Sequence, residues 1–201
     1  MIAIIDYDAG NIKSVEKAFA YLGQKAVVTR DADIIKNADK VVLPGVGAFG
    51  DAMSRLREYG LDDAIREAVV CGKPFLGVCL GLQLLFGSSE ESEGVGGLDI
   101  LKGKIHRFPN DRGCKIPQIG WNSLEIRESS VLFKNIPNHS YVYFVHSYYL
   151  KAEEEGIVAA SADYAAHFHA AVEKDNIFAC QFHPEKSGEV GLKILANFAG
   201  L

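Results

Sequence analysis

The sequence predicts an α/β fold: a doubly wound, mostly parallel central sheet flanked by helices, with a strand-rich second half. Two observations carry this. In the first half, short and continuously apolar runs alternate with segments of helical periodicity. Strands that are apolar along their whole length are buried on both faces, as in a parallel sheet between helical layers. In the second half, strand-type runs follow one another through turn-rich stretches and a single helix closes the chain.

Ile2 to Ile5 is the first apolar run. Asp8, Gly10 and Asn11 turn into a helix on which Val15, Ala18, Phe19 and Leu22 recur at helical spacing, and Gly23 stops it. Ala26 to Val28 is a second strand, Ala32 to Lys36 a short helix, and Lys40 to Leu43 a third strand that Pro44 and Gly45 end. Met53, Leu56, Leu61, Ile65 and Val69 mark helical segments broken at Gly60. Pro74 to Val78 is a fourth strand, and Leu82, Leu84, Leu85 and Phe86 mark the helix after it. The later strand candidates are Ile105 to Phe108, Trp121 to Ile126, Val142 to Leu150, Ile157 to Ala160, Phe168 to Val172 and Phe178 to Phe182. Turn-rich stretches at 109–117 and 135–140 and the acidic run Glu153 to Glu155 connect them, and Gly188 to Phe198 is the closing helix. No repeat, low-complexity segment or linker interrupts the chain, so 1–201 is expected to be one domain.

Composition narrows the function. Of 201 residues 48% are hydrophobic, and the net charge of -5 is spread over 26 acidic and 21 basic residues without the basic footprint of a nucleic-acid binder. Cys71, Cys79, Cys114 and Cys180 form no CxxC pair, and a chain of this size needs no disulfide staples. All four are expected as free thiols in a reducing compartment. The chain opens directly on a strand, with no leader pattern and no apolar run near the roughly 20 residues that span a bilayer, so a cytoplasmic location is expected.

The chemistry concentrates in Pro74 to Phe86, PFLGVCLGLQLLF. An apolar strand runs into Gly77-Val78-Cys79-Leu80-Gly81 and then a helix, the nucleophile-elbow arrangement with cysteine at its apex. A tight strand-to-helix turn projects the sulfur away from the fold, and the glycines on either side leave room for it. The helix N-terminus favours thiolate over thiol, and the Leu80 N–H is aimed to serve an oxyanion. A second strand ends in His183-Pro184-Glu185. Pro184 keeps His183 out of helical geometry, and side chains two apart on an extended segment share a side. Glu185 is therefore placed to orient His183, completing a nucleophile–base–orienter triad with Cys79. A third element is Pro44-Gly45-Val46-Gly47, a glycine-rich loop at the strand edge where doubly wound folds bind ligands. Glycines on both sides of Val46 make a peptide rotation inexpensive. The loop is expected to rest with a carbonyl rather than an N–H toward the oxyanion position.

G-V-C-L-G-x-Q (77–83) with F-H-P-E (182–185) resembles the class I, triad-type glutamine amidotransferases. D-Y-D-A-G-N (6–11), P-G-V-G-A-F-G (44–50), I-G-W-N (119–122), Y-F-V-H-S-Y (143–148) and Q-F-H-P-E-K-S (181–187) narrow the resemblance to the glutaminase subunits of imidazole glycerol phosphate synthase, in histidine biosynthesis. The resemblance runs along essentially the whole chain. One departure is Asp8, where the family pattern leads us to expect glycine. The resemblance implies hydrolysis of glutamine to glutamate and ammonia through a Cys79 thioester. It also implies transfer of the ammonia to a (β/α)8-barrel cyclase partner in a heterodimer that makes imidazole glycerol phosphate and the aminoimidazole carboxamide ribonucleotide. It implies no metal and no organic cofactor. By the same resemblance Gln83, Gly47, Glu91, Ser147 and Tyr148 contact glutamine, while Asn11, Trp121, Tyr143 and Lys186 lie toward the cyclase. The run Ser88 to Glu93 holds three acids, of which Glu91 is the choice.

Competing readings are a glutaminase serving pyridoxal phosphate, anthranilate or guanylate synthesis, a stand-alone thiol hydrolase, and a non-catalytic module of the same fold. The P-G-V-G and I-G-W-N segments speak against the first, and the intact triad against the last. His167 and His169 alternate on a strand, read as a solvated face without a third metal ligand. His106 and His139 are expected at the surface and Cys180 in the core, and Cys71 and Cys114 carry no assignment.

Overall fold

Alternating apolar segments build the sheet in a computed structural model of the chain, which describes residues 1–8, 10–110 and 113–201. Ala9 of the D-Y-D-A-G-N segment and 111–112 of the turn-rich stretch lie outside the described residues. The first half runs β1 (Ile2–Ile5), α1 (Ile12–Tyr21), β2 (Ala26–Thr29), α2 (Ala32–Asn37), β3 (Lys40–Leu43), α3 (Phe49–Glu58), α4 (Leu61–Val70), β4 (Phe75–Val78) and α5 (Leu80–Leu84). The second half runs β5 (Phe86–Ser89), β6 (Leu101–Arg107), β7 (Gln118–Ser123), β8 (Glu125–Ile126), β9 (Tyr141–His146), β10 (Tyr148–Ala152), β11 (Val158–Asp163), β12 (His167–Lys174), β13 (Ile177–Cys180) and α6 (Gly188–Ala199).

The main sheet is ordered β2-β1-β3-β4-β13-β12-β10-β6-β5, with β11 and β8 branching from β12. Its first five strands are parallel, and β13, β12, β10 and β6 then pair antiparallel. Strand alternation divides the core in two. Ala3, Ile5, Val41 and Leu43 pack with Phe49, Met53, Leu56 and Ile65 of α3 and α4. Ile2, Ile4 and Val42 pack with Val15 and Phe19 of α1 and Ile194, Leu195 and Phe198 of α6 on the other face. No helix among the described residues is long and apolar enough to cross a membrane.

Several element boundaries differ from those read in the sequence. The helix after β4 ends at Leu84, and Phe86 begins β5. Leu84, Leu85 and Phe86 are all fully buried, and such an apolar run suits a buried helix or a buried strand equally. The carbonyls of Leu84 and Leu85 instead accept from Leu98, Ile100 and Leu101. The run Val142 to Leu150 is two strands, because the chain leaves one sheet for another at Ser147. β9 pairs with β7 in a separate ribbon, while β10 pairs with β6 and β12. The run Trp121 to Ile126 divides in the same way at Leu124, and Pro184–Lys186 is a 3-10 turn rather than extended chain. Asp8 occupies the left-handed region at φ 62°, which aspartate tolerates better than most residues. Its carboxylate accepts from Arg30 Nη2, Arg55 Nη1 and the Tyr59 hydroxyl, which hold this turn where a glycine was expected.

The β4–α5 junction is packed backbone to backbone. A Cβ on Gly81 would lie 1.8 Å from the Leu43 carbonyl oxygen of β3, and one on Gly77 would lie 2.8 Å from the Gly81 carbonyl oxygen. Neither neighbour is a side chain that can swing aside. Gly81→Ala is expected to cost about 1–3 kcal/mol of stability, the range for overpacking a filled interior, read as a lower denaturant midpoint. An unchanged midpoint would mean that α5 is free to shift away from β3.

Candidate active site

The elbow sets Cys79 at φ 55° and ψ -107°, directly after β4. A non-glycine residue occupies that region only when its surroundings enforce it. Here the Cys79 N–H donates to the Cys180 carbonyl at 2.8 Å, and the Cys79 carbonyl accepts from Leu82 and Gln83 at 3.0 and 3.3 Å. The side chain sits in the floor of a cavity of about 320 Å³, 6% exposed.

His183 lines the same cavity, just past the end of β13, and Glu185 sits behind it, outside the cavity lining. The His183 N–H donates to the Tyr143 carbonyl at 2.9 Å, and its own carbonyl accepts from the Ser187 hydroxyl at 2.7 Å, which fixes the turn against β9. Nδ1 lies 2.8 Å from Glu185 Oε1, so the tight turn achieves the pairing that extended geometry was expected to give. Asn11 Nδ2 donates to the same carboxylate oxygen, which places Asn11 beside the triad. Burial opposes a charge on His183, but hydrogen bonds to Cys79 and Glu185 outweigh it and hold its pKa at about 10. The imidazole is thus kept protonated at neutral pH between a sulfur and a carboxylate.

The glycine-rich loop closes the near side. Gly47 has φ 110°, beyond what an L side chain adopts without strain, and Val46 and Gly47 line the cavity. The Leu80 N–H is not free. It donates to the Gly45 carbonyl at 3.3 Å, so a carbonyl of the loop occupies the donor at the start of α5.

Gln83, Glu91, Ser147 and Tyr148 also line the cavity, with Lys186 at its rim. Gln83 Nε2 donates to the Tyr148 carbonyl at 3.2 Å and to Gln181 Oε1 at 3.0 Å, which commits both its hydrogens and leaves its oxygen as the acceptor. Glu91 Oε2 accepts from the Phe49 N–H at 2.8 Å, at the positive N-terminus of α3. Its neighbour Glu90 turns away, accepting from the Arg107 N–H and pairing with His106, and those bonds hold its carboxyl below the usual range.

Trp121 and Tyr143 face each other across the β7–β9 ribbon with ring centroids 6.0 Å apart. Ile119 and Tyr141 join them on that outward face, and all but the half-buried Tyr143 are exposed. The ribbon's other face, Val142, Phe144 and His146, is buried.

His169 corrects one expectation. It is 3% exposed, not solvated, because its Nδ1 accepts the Ala152 N–H of the neighbouring strand, while His167 alone faces solvent. No group of three or more His, Cys, Asp or Glu suited to a metal occurs among the described residues. Cys180 is buried, Cys71 exposed and Cys114 intermediate, all unbridged.

Sequence reasoning missed Gln181, Gln118 and His146, all buried polar residues at strand ends. Their one sequence signal is a polar residue at the end of a strand-type run. His146 Nδ1–H donates to the Tyr148 carbonyl at 2.8 Å, and Nε2 faces the Gln118 amide at 3.1 Å. Burial drives the His146 pKa down to about 4; the bond to Tyr148 resists and the charge on nearby His183 adds to the fall. The unfolded chain therefore binds a proton that the native state refuses between about pH 6.5 and 4. This stabilising difference is complete above pH 6.5 and is lost as pH falls through that window, by about 3 kcal/mol at most. Urea titrations from pH 7 to 4 are expected to show this loss, and His146→Asn to show a shallower slope. Identical slopes would mean that the ring is not held neutral.

Comparison with known proteins shows the family and the fold. A family model described as glutamine amidotransferase class-I matches residues 3–200. The chain is 54% identical over 200 residues to the imidazole glycerol phosphate synthase subunit HisH of Chlorobaculum tepidum, covering 99% of each. It is 52% identical over 198 residues to the HisH subunit of Caldanaerobacter subterraneus subsp. tengcongensis, covering 98% of this chain and 97% of that one. Among solved structures, a glutamine amidotransferase superposes with a TM-score of 0.76 at 20% identity, covering 99% of this chain and all of the other. The PurLQS structure from Thermotoga maritima gives 0.74 at 20% identity, covering 99% and 97%. At that identity the structural likeness is one of fold.

Proposed function

Because the chain belongs to the class-I glutamine amidotransferases, and within them to the HisH subunits of imidazole glycerol phosphate synthase, we propose that Cys79, His183 and Glu185 hydrolyse glutamine as one 1–201 domain and supply ammonia to a cyclase subunit. The observation that carries this reading is the convergence of a strained cysteine elbow and a carboxylate-paired histidine on one cavity. Cys79 Sγ attacks the side-chain amide carbon and displaces ammonia, to which His183 gives a proton. The glutamyl thioester is cleaved by water, whose proton His183 takes. Glu185 stabilises the imidazolium, and Asn11 fixes the carboxylate that does so. Gln83 offers glutamine an acceptor oxygen. Glu91, Gly47 and the chain at Ser147 and Tyr148 complete its site.

The negative oxygen of each tetrahedral intermediate needs donors. Leu80 and Val46 supply them once the Gly45–Val46 peptide turns its carbonyl away from Leu80. Loss of one such donor typically costs about 10²–10³-fold in kcat, enough to keep the resting subunit quiet. The apolar face carrying Trp121 and Tyr143, with Lys186 at the cavity rim, suits a partner that both covers the cavity and receives the product. Ammonia protonated in water ceases to be a nucleophile, which favours direct transfer, and likeness to the HisH subunits supports a (β/α)8-barrel cyclase as the receiver in a cytoplasmic heterodimer.

In the complex, Cys79→Ala is expected to abolish glutamine-dependent ring synthesis while ammonia-dependent synthesis persists near its original rate. Loss of both activities in a variant that still binds the partner would make Cys79 structural.

A further inference from the structure

A backbone carbonyl can only accept, and one of them sets the polarity of a side-chain relay that ends on Cys79. The Tyr148 carbonyl accepts from Gln83 Nε2, which identifies the nitrogen end of that amide. The same nitrogen lies 3.0 Å from the Gln181 side chain, so the Gln181 oxygen must face it. That leaves Gln181 Nε2 directed at Cys79 Sγ, 3.7 Å away, within reach of the larger sulfur atom. Turned round, Gln181 would oppose one N–H with another and set its oxygen lone pairs against the sulfur. Gln181 is fully buried, out of reach of solvent, while Gln83 is 5% exposed at the cavity wall. A buried amide placed in this way serves an acceptor.

We propose that Gln181 is a further catalytic residue: its side-chain N–H donates to the Cys79 sulfur and stabilises negative charge there. The inference rests on Cys79 being the nucleophile of the reaction assigned above. The donor acts at two points. Before attack it holds the sulfur as thiolate, the reactive form. In thioester cleavage, water adds to the acyl carbon, the carbon–sulfur bond breaks, and its electron pair returns to sulfur as the glutamate carboxyl departs. The N–H meets that charge as it develops. Gln83 therefore has two tasks, accepting from substrate through its oxygen and fixing the rotamer of Gln181 through its nitrogen.

The test is the rate at which iodoacetamide alkylates Cys79 at neutral pH, followed by mass spectrometry of the peptide carrying it, with kcat and KM for glutamine measured in the complex. Gln181→Met keeps the length without a donor, and Gln181→Glu keeps the acceptor for Gln83 without a donor. Hydrogen bonds to charged groups are worth about 10- to 100-fold. Both variants are expected to slow alkylation within that range and to lower kcat with KM little changed. If Gln181→Met does not fold, Gln181→Glu is read alone. Alkylation at the parent rate in a folded variant would overturn the role of Gln181. The assignment of Cys79 is checked separately by Cys79→Ala, so failure of one leaves the other legible.

Discussion

Cys79 holds a backbone conformation, φ 55° and ψ -107°, that costs energy in an isolated chain. The surrounding structure is arranged so that no cheaper conformation fits. β3 and β13 flank β4 in parallel register, fixing the strand that enters the turn. Gly81 lets α5 pack directly against the backbone at the end of β3. With strand and helix both anchored, Cys79 absorbs the mismatch, and its sulfur projects to the C-terminal edge of the parallel strands. That edge is where α/β sheets of this kind place their chemistry.

Around this fixed point the site is assembled from elements far apart in the chain. β13 leads into His183 and Glu185, α1 begins beside Asn11, and β10 contributes the Tyr148 carbonyl. The His183–Glu185 pair and the Gln83–Gln181–Cys79 contacts are present in the isolated fold. The oxyanion donor is not, because Leu80 already gives its N–H to Gly45. On the proposed reading, the resting subunit has its nucleophile assembled and its transition-state support withheld. The withheld part lies in a loop bordered by Gly47, where rotation is cheap. The proposed gate thus lies where movement costs least, and the proposed triad where the backbone is most constrained.

Much of this was legible in the residues themselves. Continuous apolar runs marked β1, β3 and β4, because burial on both faces leaves no polar position to interrupt them. The elbow was legible because two glycines flank the cysteine at a strand end, and the pairing of Glu185 with His183 was legible from their spacing, although a tight turn rather than the expected extended segment makes it. What escaped reading depends on the third dimension. Phe86 opens a strand because its neighbours in space are strands, although its local pattern continues a helix. Ser147 shows no break signal, yet the chain changes sheets there. His169 and His146 resemble ordinary strand histidines until their partners, Ala152 and Tyr148, are known. Gln181 lay inside a quoted motif, but its task is visible only once Gln83 and Cys79 converge on it.

The account turns on one hydrogen bond, that between the Leu80 N–H and the Gly45 carbonyl. The most direct measurement is a crystal structure of a Cys79→Ser variant bound to glutamine and its synthase partner with the partner's nucleotide in place. The account predicts that the Gly45 carbonyl has swung away, leaving the Leu80 and Val46 N–H groups facing the glutamine amide oxygen. A Leu80–Gly45 bond still intact in a complex whose parent enzyme turns over at full rate would contradict it.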